Sequence, residues 1–223
     1  MRISRAMMSS SFLKSLPFFA LCLLGCSSTF AGPASLLAPA APPDDGPFAK
    51  GALELSLSGG FLYSPICATK GRPIFAYGQG DLSLGWMLSD PAPLLGWNAL
   101  RGNWEALANV FGAGVTRGPS GFLGGGRALL RYNFVQPGSK WVPFFQVGAG
   151  VLGDTVYEDH TQRLIGSGFE FTLVADAGLR YCFTPRWAAV LLADFEHISN
   201  ANTASRNLGV NAVGGTVGVS WFF

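Results

Sequence analysis

Phe169-Glu170-Phe171-Thr172-Leu173-Val174-Ala175-Asp176-Ala177-Gly178-Leu179-Arg180-Tyr181 decides the fold. Phe169, Phe171, Leu173, Ala175, Ala177, Leu179 and Tyr181 fall on one parity, and Glu170, Thr172, Asp176 and Arg180 on the other. A repeat of two is the side-chain period of a β-strand. The run is also long for a soluble strand, and a tilted strand needs about ten residues to cross a bilayer.

The same alternation recurs along the chain, at about 51–63, 76–88, 101–113, 122–135, 142–153, 167–183, 186–199 and 210–223. Leu82, Leu84, Trp86 and Leu88 oppose Asp81, Ser83 and Gly85; Ala128, Leu130, Tyr132 and Phe134 oppose Arg127, Arg131 and Asn133. Eight such segments predict an all-β fold, an eight-stranded antiparallel transmembrane β-barrel of the outer membrane over residues 51–223. The apolar faces would meet lipid. The polar faces would fill a narrow lumen, where Glu105, Arg127, Arg131, Glu170, Asp176 and Arg180 can pair. Closure removes strand edges, which lipid cannot hydrate. Alternation alone also fits a soluble β-sandwich or lipocalin-like barrel, with the two faces exchanged.

Composition favours the membrane reading. Of 223 residues 13% are charged and 13% aromatic, with 30 glycines, an unusual balance for a soluble domain. Trp86, Trp104, Trp187 and Trp221 fit interfacial girdle positions. The net charge of +2 is small and its basic residues are scattered, so no nucleic-acid footprint is present.

The N-terminal part reads as export machinery. Arg2, Arg5 and Lys14 precede an apolar run from Leu16 to Leu24, too short to span a membrane as a helix, and small residues follow. Residues 1–31 are expected to be a signal peptide cut after Ala31. Leu23-Leu24-Gly25-Cys26 offers the alternative of a lipidated Cys26. Residues 32–50, rich in Pro and Ala, read as an extended lead-in. Removal of the leader leaves Cys67 and Cys182, which allow one bridge but no disulfide framework. The chain ends Ser220-Trp221-Phe222-Phe223, resembling the signal that outer-membrane barrels present to the barrel assembly machinery.

The seventh segment ends Phe195-Glu196-His197-Ile198-Ser199-Asn200-Ala201. His197 and Ser199 are two apart on a strand, so they share a face at a backbone spacing of roughly 7 Å. Their side chains can close that gap, as a serine nucleophile and its general base require. Both share the parity of Leu191, Ala193 and Phe195. With both termini periplasmic, 199–209 becomes an extracellular loop, so the pair would lie at the outer-leaflet end of the wall, facing lipid. By the same parity Glu196 faces the lumen and is not nominated. His160 falls in a predicted outer loop and reads as a solvated residue, and no His/Asp cluster of metal-ligand type is present. Left to itself, His-x-Ser-Asn at a strand end also reads as a turn signal.

His197-Ile198-Ser199-Asn200-Ala201 followed by Asn207-x-Gly209-x-Asn211 resembles the lipid A 3-O-deacylase (PagL) family. Pro143-Phe144-Phe145-Gln146-Val147-Gly148-Ala149-Gly150 and the 169–179 segment add to the likeness, which covers 142–223 well and the earlier strands in pattern only. The resemblance implies a cofactor-free serine esterase that removes an ester-linked acyl chain from lipid A of lipopolysaccharide. It assigns Ser199 as nucleophile, His197 as base and Asn200 to the oxyanion. The family's acid falls on Asn211, whose carbonyl can hold an imidazole tautomer but carries no charge. Two other readings stay open: a non-catalytic structural or adhesion barrel, and an esterase acting on another acyl position or on phospholipid.

Overall fold

A computed structural model describes residues 46–64 and 74–223. The expected signal peptide, with its Cys26 and Ala31 alternatives, and Cys67 lie outside those residues. The strands are β1 (Leu53–Ser64), β2 (Phe75–Met87), β3 (Ala92–Leu94), β4 (Trp97–Arg117), β5 (Phe122–Asn133), β6 (Trp141–Asp154), β7 (Phe169–Cys182), β8 (Trp187–Ser199) and β9 (Val210–Phe222). All pairings are antiparallel, and β1 pairs with β9, so eight long strands close into a barrel. The terminal residue takes part in closure: the Phe223 N–H donates to the Leu53 carbonyl (3.0 Å) and the Leu53 N–H to the Phe223 carbonyl (3.1 Å).

The faces settle the choice left open by the sequence. Leu57, Leu84, Val147, Leu173, Leu191 and Val217 lie on the outer surface, each at least 44% exposed, while Glu54, Glu105, Arg131, Arg180 and Glu196 are buried inside. A soluble barrel would have the reverse arrangement; an apolar exterior around a charged interior belongs in lipid. The lumen is filled, leaving a void of about 50 Å³, too little for a pore. Gly178 shows how closely it is filled, because a Cβ there would lie 2.1 Å from the Phe144 ring.

The interior charges form two layers. Near the terminal end, Arg131 and Arg180 each contact both Glu54 and Glu105. Higher up, Arg127 pairs with Asp81 and Glu196. Two expected lumen ions find other partners. Asp176 accepts from the Gln146 amide (2.8 Å) and the Phe195 N–H (3.3 Å), and Glu170 accepts from backbone N–H groups of Gly166 and Ser167.

Two segments depart from the sequence reading. The end of the lead-in is folded: a 3-10 turn at Gly46–Phe48 places Phe48 in the base of the barrel, edge-on to Phe222 at 5.4 Å. Its carbonyl accepts from the Asn103 amide (2.7 Å). The long 89–100 connection is a small hairpin, with β3 pairing the overhanging start of β4. The start of β1, the end of β9, the 134–140 and 183–186 turns and this hairpin lie at one end, which is therefore periplasmic. Trp104, Trp141, Trp187 and Trp221 ring that end, with Trp187 and Trp221 directly paired across β8 and β9.

Candidate active site

At the opposite, outer end, β8 lies between β7 and β9. Register sets His197 against Asn211 on β9 and against Leu173 on β7, and Ser199 against Phe171. Strand parity turns His197, Ser199 and Asn211 outward, each partly exposed among Phe171, Leu173, Phe195 and Val213.

The three polar side chains form a hydrogen-bonded row. His197 Nε2 lies 3.1 Å from Ser199 Oγ. His197 Nδ1 lies 2.7 Å from Asn211 Oδ1. An amide oxygen only accepts, so Nδ1 carries the proton and Nε2 presents its lone pair to the serine hydroxyl. The arrangement can take a proton from Ser199 and hold the ring while it does so. The carbonyl of Asn211 thus occupies the place of an orienting acid without its charge.

Asn200 stands differently. The parity that turns Ser199 outward turns Asn200 inward, and it is fully buried. Its side-chain amide donates to the Arg206 carbonyl (3.0 Å) and to Glu170 (3.4 Å), and its backbone N–H donates to Asn207 Oδ1 (3.1 Å). Ala201 and Asn202 follow with left-handed backbone, φ 51° and 65°. Glu196 is inward as expected, held by Tyr77, Thr172 and Arg127. His160 is exposed in the outer loop. Among the described residues no cluster of His, Cys, Asp and Glu could hold a metal.

The outer loops roof the row, and their residues escaped the sequence reading. Leu208 N–H donates to the Arg163 carbonyl (3.0 Å) and Gly209 N–H to the Leu164 carbonyl (2.9 Å), joining the 200–209 and 155–168 connections. Gly209 has φ +68°, and a Cβ there would approach His197 Cε1 at 3.6 Å and Ser199 Cβ at 3.7 Å. A bare, left-handed residue therefore passes beside Ser199. Asn207 and Gly209 belong to the motif without a role of their own, and Arg206 lies between its named positions; no local pattern announces a contact across two loops.

The lipid A 3-O-deacylase (PagL) family model matches residues 72–220. Among solved structures, Neisserial surface protein A (NspA) aligns with TM-score 0.56 and 15% identity, over 78% of this chain and 100% of that one. The outer membrane enzyme PagL aligns with TM-score 0.50 and 18% identity, over 74% of this chain and 97% of that one. No curated protein matches the chain. At such identities the structural likeness establishes the barrel alone; the family match covers most of it, including the His197–Ser199–Asn211 row.

Proposed function

The chain belongs to the lipid A 3-O-deacylase family, and from that premise we propose that this integral outer-membrane barrel is a serine esterase that removes the 3-O-linked acyl chain of lipid A. The observation that carries the reading is the lipid-facing hydrogen-bonded row from Ser199 through His197 to Asn211. The ester arrives laterally, from the leaflet in which the substrate is already dissolved.

His197 Nε2 takes the hydroxyl proton as Ser199 Oγ attacks the ester carbonyl. Asn211 Oδ1 accepts from Nδ1–H throughout, fixing the tautomer and steadying the imidazolium. The tetrahedral oxyanion collapses, the sugar oxygen leaves with the proton from His197, and an acyl-serine remains. Water, deprotonated by His197, then releases the fatty acid and restores the hydroxyl. For the oxyanion, the family assignment to Asn200 is retained through its segment rather than its amide, which is engaged inward. Backbone N–H groups of the left-handed Ala201–Asn202 turn are the donors proposed to reach it. No metal or cofactor enters these steps.

Purified protein incubated with lipopolysaccharide in detergent should release one hydroxy fatty acid per lipid A, read by gas chromatography. Ser199→Ala should release none while remaining a folded barrel. Full release by that variant would overturn the choice of nucleophile. Release of a different acyl chain would move the cut to another position.

A further inference from the structure

Arg206 is partly buried between the outer loops; it makes none of the described ion pairs within 4 Å, though its charge acts on the nearby Asp159 carboxylate. Its guanidinium is spent on backbone carbonyls instead. Nη2 donates to Tyr157 (2.6 Å), and Nη1 to Asp159 (2.9 Å) and Gln162 (3.3 Å). All three acceptors lie in the 155–168 connection, whereas Arg206 belongs to the 200–209 connection. One side chain therefore fastens one outer loop to the other.

The backbone of Arg206 continues the chain of contacts to the nucleophile. Its carbonyl accepts from the amide of Asn200, the residue directly after Ser199. On either side, Asn207 Oδ1 receives the Asn200 N–H, and Leu208 and Gly209 bond the Arg163 and Leu164 carbonyls. Gly166 backs the same point so closely that a Cβ there would fall 2.0 Å from the Arg206 carbonyl oxygen. Glu170 fixes the underside by accepting from Gly166, Ser167 and Asn200 together. Ser199 ends β8 and pairs with Phe171 on β7, while the β9 ladder stops at Ile198, so the residues after it are held by their own turn and by these loop contacts.

We infer that Arg206 is a positioning residue for the esterase site: its guanidinium clamps the 155–168 loop and thereby sets the Ser199–Asn200 turn and the Gly209 backbone beside the acyl approach. The inference rests on the proposed Ser199 nucleophile. Five N–H donors in a rigid fork suit three carbonyls on a curved loop, and a single ammonium cannot span them. The barrel wall does not need the clamp, because its strands are paired along their own ladders.

The test uses the full-length protein in detergent and a fluorophosphonate probe, which reports serine activation without the natural substrate. Wild type should label at Ser199, and Ser199→Ala should not. Arg206→Ala should label roughly 10- to 100-fold more slowly, the scale of a small misplacement of reacting groups. Millimolar methylguanidinium should restore much of that rate, Arg206→Lys should recover less than wild type, and barrel melting should stay unchanged. On lipopolysaccharide the loss should fall on kcat with KM nearly constant. Wild-type labelling by Arg206→Ala overturns the inference while leaving the nucleophile in place. So does a slowing that follows lost barrel melting and is not rescued by methylguanidinium. Failure of wild type to label would instead remove the nucleophile itself.

Discussion

In the proposed mechanism, Asn211 is the residue on which rate turns. Its amide oxygen stands 2.7 Å from His197 Nδ1, so the tautomer is correct, but no full charge opposes the imidazolium formed as Ser199 is deprotonated. Asn211→Asp is therefore expected to preserve or raise kcat. Asn211→Leu keeps the size, removes the acceptor and frees the ring, and should lower kcat by roughly 10²-fold or more. Steady-state deacylation kinetics separate the two, and a marked loss in the aspartate variant would mean that Asn211 works through its N–H₂. At this scale much was legible in the sequence. Spacing by two placed His197 and Ser199 on one outward face, and parity placed Glu196 inside. The same parity applied one residue further turns Asn200 inward, where the family likeness alone suggested a side chain aimed at the oxyanion. The local strand geometry wins because Asn200 finds acceptors there in Glu170 and Arg206.

Among elements, the inner ends of β1, β4, β5 and β7 hold the barrel together through Glu54, Glu105, Arg131 and Arg180. Arg180 is fully buried and stacks its guanidinium above Phe144 at 5.0 Å. Taking away Arg180 leaves two buried carboxylates to share the single guanidinium of Arg131, and breaking such a buried layer costs up to about 3–5 kcal/mol. Arg180→Ala should accordingly shift the urea midpoint of the detergent-folded barrel strongly downward, read by the heat-modifiable band on gels. An unshifted midpoint would show that water already solvates Glu54 and Glu105. β4 runs four residues beyond the expected 101–113 at each end; the other seven of the eight long strands were legible within a residue or two, because period-two alternation persists along them. Irregular elements were not. Phe48 reads as one aromatic in a Pro-rich run, and only the presence of Phe222 across the base makes a plug of it. The β3 hairpin hides likewise in a stretch with no alternation. Glu170 could be read as inward but not as a loop anchor, since its partners lie in turns whose course no periodicity encodes.

For the whole molecule, the division of labour follows from an apolar outside, an ionic inside and the hydrogen-bonded Ser199–His197–Asn211 row at the outer rim. The tryptophans cluster at the periplasmic end, where the indole rings straddle the interface. Their fluorescence should be quenched more by phospholipids brominated near the headgroup than by those brominated at the chain ends. Stronger quenching at the chain ends would place the ring in the hydrocarbon and shift the barrel along the membrane normal. Such an offset would draw Ser199 away from the acyl ester, so the girdle and the chemistry are linked through strand length. Sequence conveyed this orientation because loop lengths differ between the two ends, while the roof joining loops 155–168 and 200–209 emerged only in three dimensions.

The most direct test of lipid A deacylation by Ser199 is mass spectrometry of lipid A from a Gram-negative host expressing the wild-type chain or Ser199→Ala, each confirmed as a folded barrel in the outer membrane. Loss of one hydroxyacyl chain from the 3-position is expected with wild type alone. Identical lipid A in both strains, with the acyl chains intact, would contradict it.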